Sequence, residues 1–176
     1  MGDEVLIREA LLGDVEAIID AVEPVAADGR FIATEAPVDR ERMRAAFAAT
    51  IAAPDATIFV AVCDARIVGS LGLHRAFGGP ADLGMSLLAE YRGRGIGGQM
   101  MERAIVWARA HNYHKLELSV YPWNAAALAL YEKFGFEREG YLKKHVRRRN
   151  GELWDVVVMG LLLAGGAERE FSARTT

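Results

Sequence analysis

Apolar positions along this chain change period several times, and each change marks an element. Residues 4–10 alternate as a first strand. From Gly13 the apolar residues fall at positions 15, 18, 19 and 22, the single buried stripe of a helix that Pro24 is expected to help end. A second helix over 39–52 carries Met43, Phe47 and Ile51 at i, i+4 and i+8, with Arg40, Glu41, Arg42 and Arg44 marking a solvated face. The period then shortens. Thr57–Cys63 and Arg66–Arg75 are β-rich runs separated by only Asp64 and Ala65, which predicts a tight antiparallel hairpin, and Gly78-Gly79-Pro80 turns the chain into a further strand over 81–89. A helix turning Ile96, Met100, Ala104, Trp107 and Ala108 to the sheet crosses over to a strand at 116–121. Asn124 can cap one more helix, Gly135 and Phe136 close it, and Asn150-Gly151 joins two final strands, the second over Leu153–Leu163. Antiparallel strands followed by a strand–helix–strand unit give an α/β architecture with a mixed sheet, in which 81–89 and 116–121 run parallel.

The crossover begins in an unusual way. In Tyr91-Arg-Gly-Arg-Gly-Ile-Gly-Gly98 four glycines fall within six residues, immediately after a strand and immediately before a helix. Glycine lets backbone amides approach a ligand at positive φ, and the first helical turn adds unpaired N–H groups and the positive end of its dipole, so this is an anion site for a phosphate or pyrophosphate. A nucleotide P-loop requires Gly-Lys-Ser/Thr where this chain has Gly97-Gly98-Gln99. Gly93, Gly95 and Gly98 do satisfy G-x-G-x-x-G, with Glu117 roughly 20 residues on, but the repeated strand–helix units of a dinucleotide fold do not follow.

Arg92-Gly-Arg-Gly-Ile-Gly97 instead matches R/Q-x-x-G-x-G/A, and Asn124-Ala-Ala-Ala-Leu-Ala-Leu-Tyr-Glu-Lys-Phe-Gly-Phe136 matches N-x-x-A-x-x-L-Y-x-x-x-G-F. On these two motifs, in this order, the chain resembles the GNAT acyltransferase superfamily from Leu6 to about Leu163. The resemblance implies a mixed, mostly antiparallel sheet whose two parallel central strands splay apart, with acetyl-CoA as co-substrate and no metal. It places the pantetheine arm along Met85, Leu87, Leu88 and Ala89, with Asn124 adding a bond. The pyrophosphate falls over Arg92, Gly93, Arg94, Gly95, Ile96, Gly97 and Gly98. The backbone at Leu87 and Leu88 is the expected oxyanion donor, and the loop between the first two helices is expected to line the acceptor site.

Acyl transfer from a thioester needs a neutral amine, a stabilised oxyanion and a proton for the departing thiolate. Tyr131 lies seven residues after Asn124, close to two helical turns, and so shares its face and is the expected acid. The competing reading is a core tyrosine packed beside Leu128 and Phe134. Glu35, Asp82, Glu117 and Asp155 are the candidate bases, with Glu35 favoured because it lies in the acceptor-side loop. The acceptor is expected to be a primary amine of a small molecule or a protein N-terminus. A catalytically silent acyl-CoA sensor is the alternative function, and the dinucleotide-dependent oxidoreductase is a third; retention of Tyr131 argues against the first of these.

Composition narrows the setting. With 52% hydrophobic and 26% charged residues and a net charge of -3, the chain has no general attraction for nucleic acid or an anionic membrane. Its single cysteine, Cys63, lies in an apolar strand and reads as a small core residue. His111 and His114 have no partner at metal-ligand spacing, His74 is expected to be structural, and the basic run Lys143–Arg149 reads as a solvated strand end. No signal segment is visible after Met1-Gly-Asp-Glu, and a cytoplasmic location is expected. No linker or repeat divides the 176 residues, so one domain is expected over 1–164 and a frayed tail over 165–176. The family tendency and the apolar last strand, with Trp154 and Val156–Val158, point to a homodimer, and the alternative is that those residues finish the core of one chain.

Overall fold

The computed structural model describes residues 5–163; the expected tail and the first four residues lie outside them. Seven strands form one sheet in the order β1-β2-β3-β4-β5-β7-β6, with β1 Val5–Glu9, β2 Thr57–Cys63, β3 Arg66–Arg75, β4 Ala81–Leu87, β5 Lys115–Val120, β6 Glu137–Arg147 and β7 Leu153–Leu162. The helices are α1 Val15–Asp28, α2 Arg40–Ala52, α3 Ile96–Ala110 and α4 Ala125–Lys133. Among the described residues, no helix is long and apolar enough to cross a membrane, and no group of His, Cys, Asp and Glu is arranged to hold a metal ion.

Strand alternation builds a core on both faces of the sheet. Phe59, Ala61 and Cys63 of β2 join Leu71, Leu73, Leu83, Leu116 and Leu118 beneath Met100, Ala104 and Trp107 of α3. Ile58 and Val60 point the other way, into Ile18 and Val22 of α1, and Met43, Phe47 and Ile51 of α2 pack against that second cluster. The β2–β3 turn is the expected one, with Asp64 and Ala65 both at positive φ (48° and 61°).

Helix α1 outruns its expected end. Pro24 lies inside it, and the helix continues to Asp28 before Gly29 closes it in the left-handed conformation at φ 72°. Burial of Val25 and Ala26 continues the apolar stripe past the proline and offsets the hydrogen bond that Pro24 cannot donate. The last strand packs within its own chain: β7 lies between β5 and β6, Val156 and Val157 are buried, and Trp154 packs edge-on against Tyr121 and Trp123.

The feature that positions the site is where the sheet parts. β4 and β5 pair in parallel only at Ala81–Leu116 and Asp82–Glu117, after which the strands separate, while β4 stays paired with β3 as far as Leu87. On the face opposite α3, the sheet beside this parting is floored by Gly72 and Gly84, around whose α-carbons there is open space.

Candidate active site

The anion loop is built by local backbone geometry. A short 3-10 turn at Ala89–Tyr91 carries the chain from β4 into Arg92, and Gly93 and Gly95 adopt φ 75° and 80°, with Gly95 as the N-cap of α3. No neighbouring atom crowds either glycine, so it is conformation that selects them. The amide of Gln99 is bonded to the Gly95 carbonyl, and the amides of Ile96, Gly97 and Gly98 precede it in the first helical turn, where no intrahelical acceptor exists. Gly97 and Gly98 have a different task. A Cβ on Gly97 would lie 3.1 Å from the Leu130 side chain and 3.5 Å from Met85 Sδ, and one on Gly98 would touch the Phe134 ring. These two glycines let the start of α3 pack against α4 and β4. Arg92 donates from Nε to the Leu87 carbonyl (3.1 Å) and lies 4.9 Å over the Phe31 ring, and the Arg94 guanidinium lies 5.1 Å over Tyr91.

The edge of β4 that faces the parting carries unpaired backbone. The Leu88 amide donates to Val68 O at 2.9 Å, and in an antiparallel ladder the hydrogen-bonded pairs alternate, so Ser86 bonds β3 while the amides of Met85 and Leu87 face away from it, towards the gap. Of the two expected oxyanion donors, the Leu88 N–H already has Val68 O as its partner and Leu88 is buried beyond the strand's end, whereas the Leu87 amide is not engaged by β3. Ala89 belongs to the 3-10 turn and extends no strand edge.

Across the gap, Asn124 caps α4 by accepting from Ala127 N at 3.3 Å. Tyr131, two turns along, is 7% exposed and packs beside Phe136, with ring centroids 5.7 Å apart. Burial pushes its phenol up to about 12, so it is protonated throughout the neutral range. Among the described residues no group bonds its hydroxyl, unlike most buried tyrosines, which find a partner for it.

The four candidate bases are placed very differently. Glu35 is held by hairpin residues: its carboxylate accepts from the Arg149 amide (3.1 and 3.2 Å) and lies 3.4 Å from Arg148 Nε. Asp155 accepts from Tyr141 Oη and the Lys144 amide, both at 2.6 Å, pinning a bulge in β6 on the α4 side of the sheet. Asp82 and Glu117 are register partners at the last paired rung before β4 and β5 part, and alternation sets them on the face opposite α3. Burial raises the Asp82 carboxyl above its ordinary range, His74 at 3.5 Å opposes that shift, and the Glu117 charge adds to it.

One participant was not visible in the sequence. Arg148 is 4% exposed and reaches the backbone of the loop between α1 and α2, although it belongs to a basic run that reads as solvated. Its partners in that loop lie more than a hundred positions away, so no local spacing announces them.

A helix N-terminus with free amides and an unpaired strand edge leading away from it are suited to a pyrophosphate-bearing ligand, with a buried phenol on α4 and two carboxylates at the last paired rung. The comparisons agree. The model of the acetyltransferase (GNAT) family matches residues 26–136. The chain is 36% identical over 83 residues to the L-amino acid N-acetyltransferase AaaT of Escherichia coli, a match that spans 45% of this chain and only 49% of that enzyme. It is 28% identical to the L-methionine sulfoximine/L-methionine sulfone acetyltransferase of Pseudomonas aeruginosa over 89% of this chain and 94% of that one. Among solved structures, the acetyltransferase of GNAT family from Streptococcus pneumoniae superposes with a TM-score of 0.80 at 26% identity, covering 90% of this chain and 99% of that chain. Loop, parted strands and whole-chain likeness agree, and the chain belongs to the acetyltransferase (GNAT) family.

Proposed function

We propose that this acetyltransferase moves the acetyl group of acetyl-CoA to the primary amine of a small molecule of amino-acid size, by direct attack in a ternary complex. The observation that supports the reading is the helix start at 96–98 with its unbonded amides next to the β4 edge at Met85 and Leu87, and the reading takes Tyr131, buried on α4, as the acid. The residues fit acetyl-CoA: backbone donors at a helix start suit its pyrophosphate, and a free strand edge suits the amides of its pantetheine arm. The acidic rung of Asp82 and Glu117 suits an incoming ammonium, and the relatives named for L-amino acids and L-methionine sulfoximine supply the size class.

In the reaction the ammonium first loses a proton to the Asp82 carboxylate through water, with Glu117 beside it. A carboxylate whose basicity burial has raised is better matched to that step than an exposed one. The neutral amine then forms the new C–N bond at the thioester carbonyl, whose developing oxyanion takes the Leu87 amide. As the C–S bond breaks, Tyr131 gives its proton to the sulfur, the second proton of the nitrogen returns through water to the Tyr131 phenolate, Asp82 gives up its proton to solvent, and CoA and the N-acetyl product leave. Glu35, engaged by Arg148 and Arg149, shapes the acceptor loop.

Thiol release from acetyl-CoA, measured against L-amino acids, L-methionine sulfone, a polyamine and a short peptide, tests this reading. Saturable release with one of the small amines is expected. Tight acetyl-CoA binding with no release for any amine would assign the chain to the sensor class instead.

A further inference from the structure

Among the described residues Arg148 is the one charged side chain buried like core, and its contacts join the loop after α1 to Tyr121 and to Trp154 of β7. Its Nη2 donates to Gly29 O at 3.1 Å, and Nη1 donates to Ile32 O and Ala33 O at 3.3 Å each. Nη1 also donates to Tyr121 Oη at 3.2 Å, Nε lies 3.4 Å from Glu35, and the guanidinium plane sits 4.2 Å over Trp154. Nearby groups repeat the pattern. The Arg149 amide donates to Glu35, Arg149 Nη1 donates to Pro37 O at 3.0 Å, and Trp123 Nε1 donates to Arg30 O at 3.0 Å. The irregular loop over 29–37 is therefore gripped along its length by the hairpin end and by the segment that follows β5.

A staple serving stability alone is better made of apolar side chains, because desolvating a guanidinium offsets much of what its bonds return. What a buried arginine supplies is a fixed fork of donors that tolerates one backbone shape. The loop it fixes borders the open sheet face, and its other flank is met by Arg92 of the anion loop, which lies over Phe31. We propose that Arg148 is the positioning residue of the acceptor site: by holding residues 29–37 in one shape over the open face, it sets affinity for the amine without touching the reacting atoms. The inference rests on the reading of that face as the acceptor side.

The experiment compares Arg148→Met, Arg148→Lys and Glu35→Gln with the unaltered protein, using hydrogen exchange of amides 29–37 and steady-state kinetics with the best amine from the thiol-release panel. Arg148→Met is expected to speed exchange across 29–37 and to raise KM for the amine about tenfold or more, leaving KM for acetyl-CoA within about twofold. Arg148→Lys should restore part of both effects, and Glu35→Gln should show both more weakly while keeping the fold. Faster loop exchange with an unchanged amine KM would make Arg148 a structural staple and overturn the proposal, as would a rise in both KM values together. If Arg148→Met does not fold, Glu35→Gln decides by the same two readouts. Absence of thiol release from the unaltered protein defeats the acetyltransfer reading and this proposal's acceptor role with it, and the exchange data then show whether Arg148 fixes the loop for any purpose.

Discussion

The loop at 92–98 and the loop at 29–37 meet where Arg92 lies over Phe31, yet they are ordered by opposite means. The first owes most of its shape to its own backbone: two glycines at positive φ, a helix that starts within it and a bond from the Arg92 side chain back to Leu87. The second has no regular structure and is held by side chains from far along the chain, above all Arg148. A cofactor that is the same in every turnover suits a site of backbone amides. An acceptor that differs between related enzymes suits a loop whose shape is set by exchangeable side chains. The difference predicts separable effects: lesions in the first loop change acetyl-CoA terms, lesions in the second change amine terms, and a group acting on the bond between them changes neither.

Tyr131 is that third case and carries the largest expected effect. Tyr131→Phe keeps the ring and its contact with Phe136 but removes the proton, and kcat should fall by about 10²-fold with both KM values little changed. A thioester with a more acidic thiol should recover part of the loss. Full turnover in this variant, with chemistry shown to be rate-limiting, would leave water as the proton source.

Gly95→Val breaks the comparison from the cofactor side. A β-branched residue at φ 80° is strained by roughly 1–2 kcal/mol, and relieving the strain turns the amides of the first helical turn away from one another. Affinity for CoA by calorimetry should drop about tenfold, with the amine KM unaltered. Gly97→Ala is the control, because its Cβ would press on Leu130 and Met85 and so act on packing.

On the acceptor side, Asp39 ends the loop by accepting from the Arg42 amide at 3.0 Å. Asp39→Ala should cost about 1 kcal/mol, typical for a lost N-cap, and lower Tm by about 2–4 °C. A drop of that size with unchanged acetyl-CoA KM keeps the two loops independent.

How far the sequence could be read follows the same division. The glycine turn into α3, the Asn124 cap and the inward face of Tyr131 were legible because each follows from spacing along one contiguous segment. The sheet order around the parting followed from hairpin and crossover rules. Arg148 was not legible, since Lys143–Arg149 has the composition of a solvated strand end and burial is conferred by residues 29–35. Trp154 shows the same limit: an apolar strand looks the same whether it faces a second copy or Tyr121 and Trp123 of its own chain, and here it packs edge-on against both. Pro24 shows a local rule overridden by tertiary burial, because Val25 and Ala26 are worth more inside than the helix loses at the proline.

The smallest effect concerns the acid rung, and its sign is its test. Asp82 must be ionised to accept a proton, and burial together with the Glu117 charge lifts its pKa above the ordinary value, so the acid limb of kcat should lie above that of an exposed carboxylate. Removing the neighbouring negative charge in Glu117→Gln makes ionisation easier and should move the limb to lower pH. Removing the partner that opposes the shift in His74→Asn, 3.5 Å away, takes away an interaction that lowers the Asp82 pKa and should move the limb to higher pH. Stability runs counter to the usual carboxylate. A group whose folded pKa is raised contributes most below its unfolded pKa, and that contribution is lost as pH rises through the folded value. Asp82→Asn should therefore leave Tm at neutral pH unchanged or higher while kcat falls. Limbs that move in the same direction in Glu117→Gln and His74→Asn would take the proton acceptor away from Asp82 and place it outside this rung.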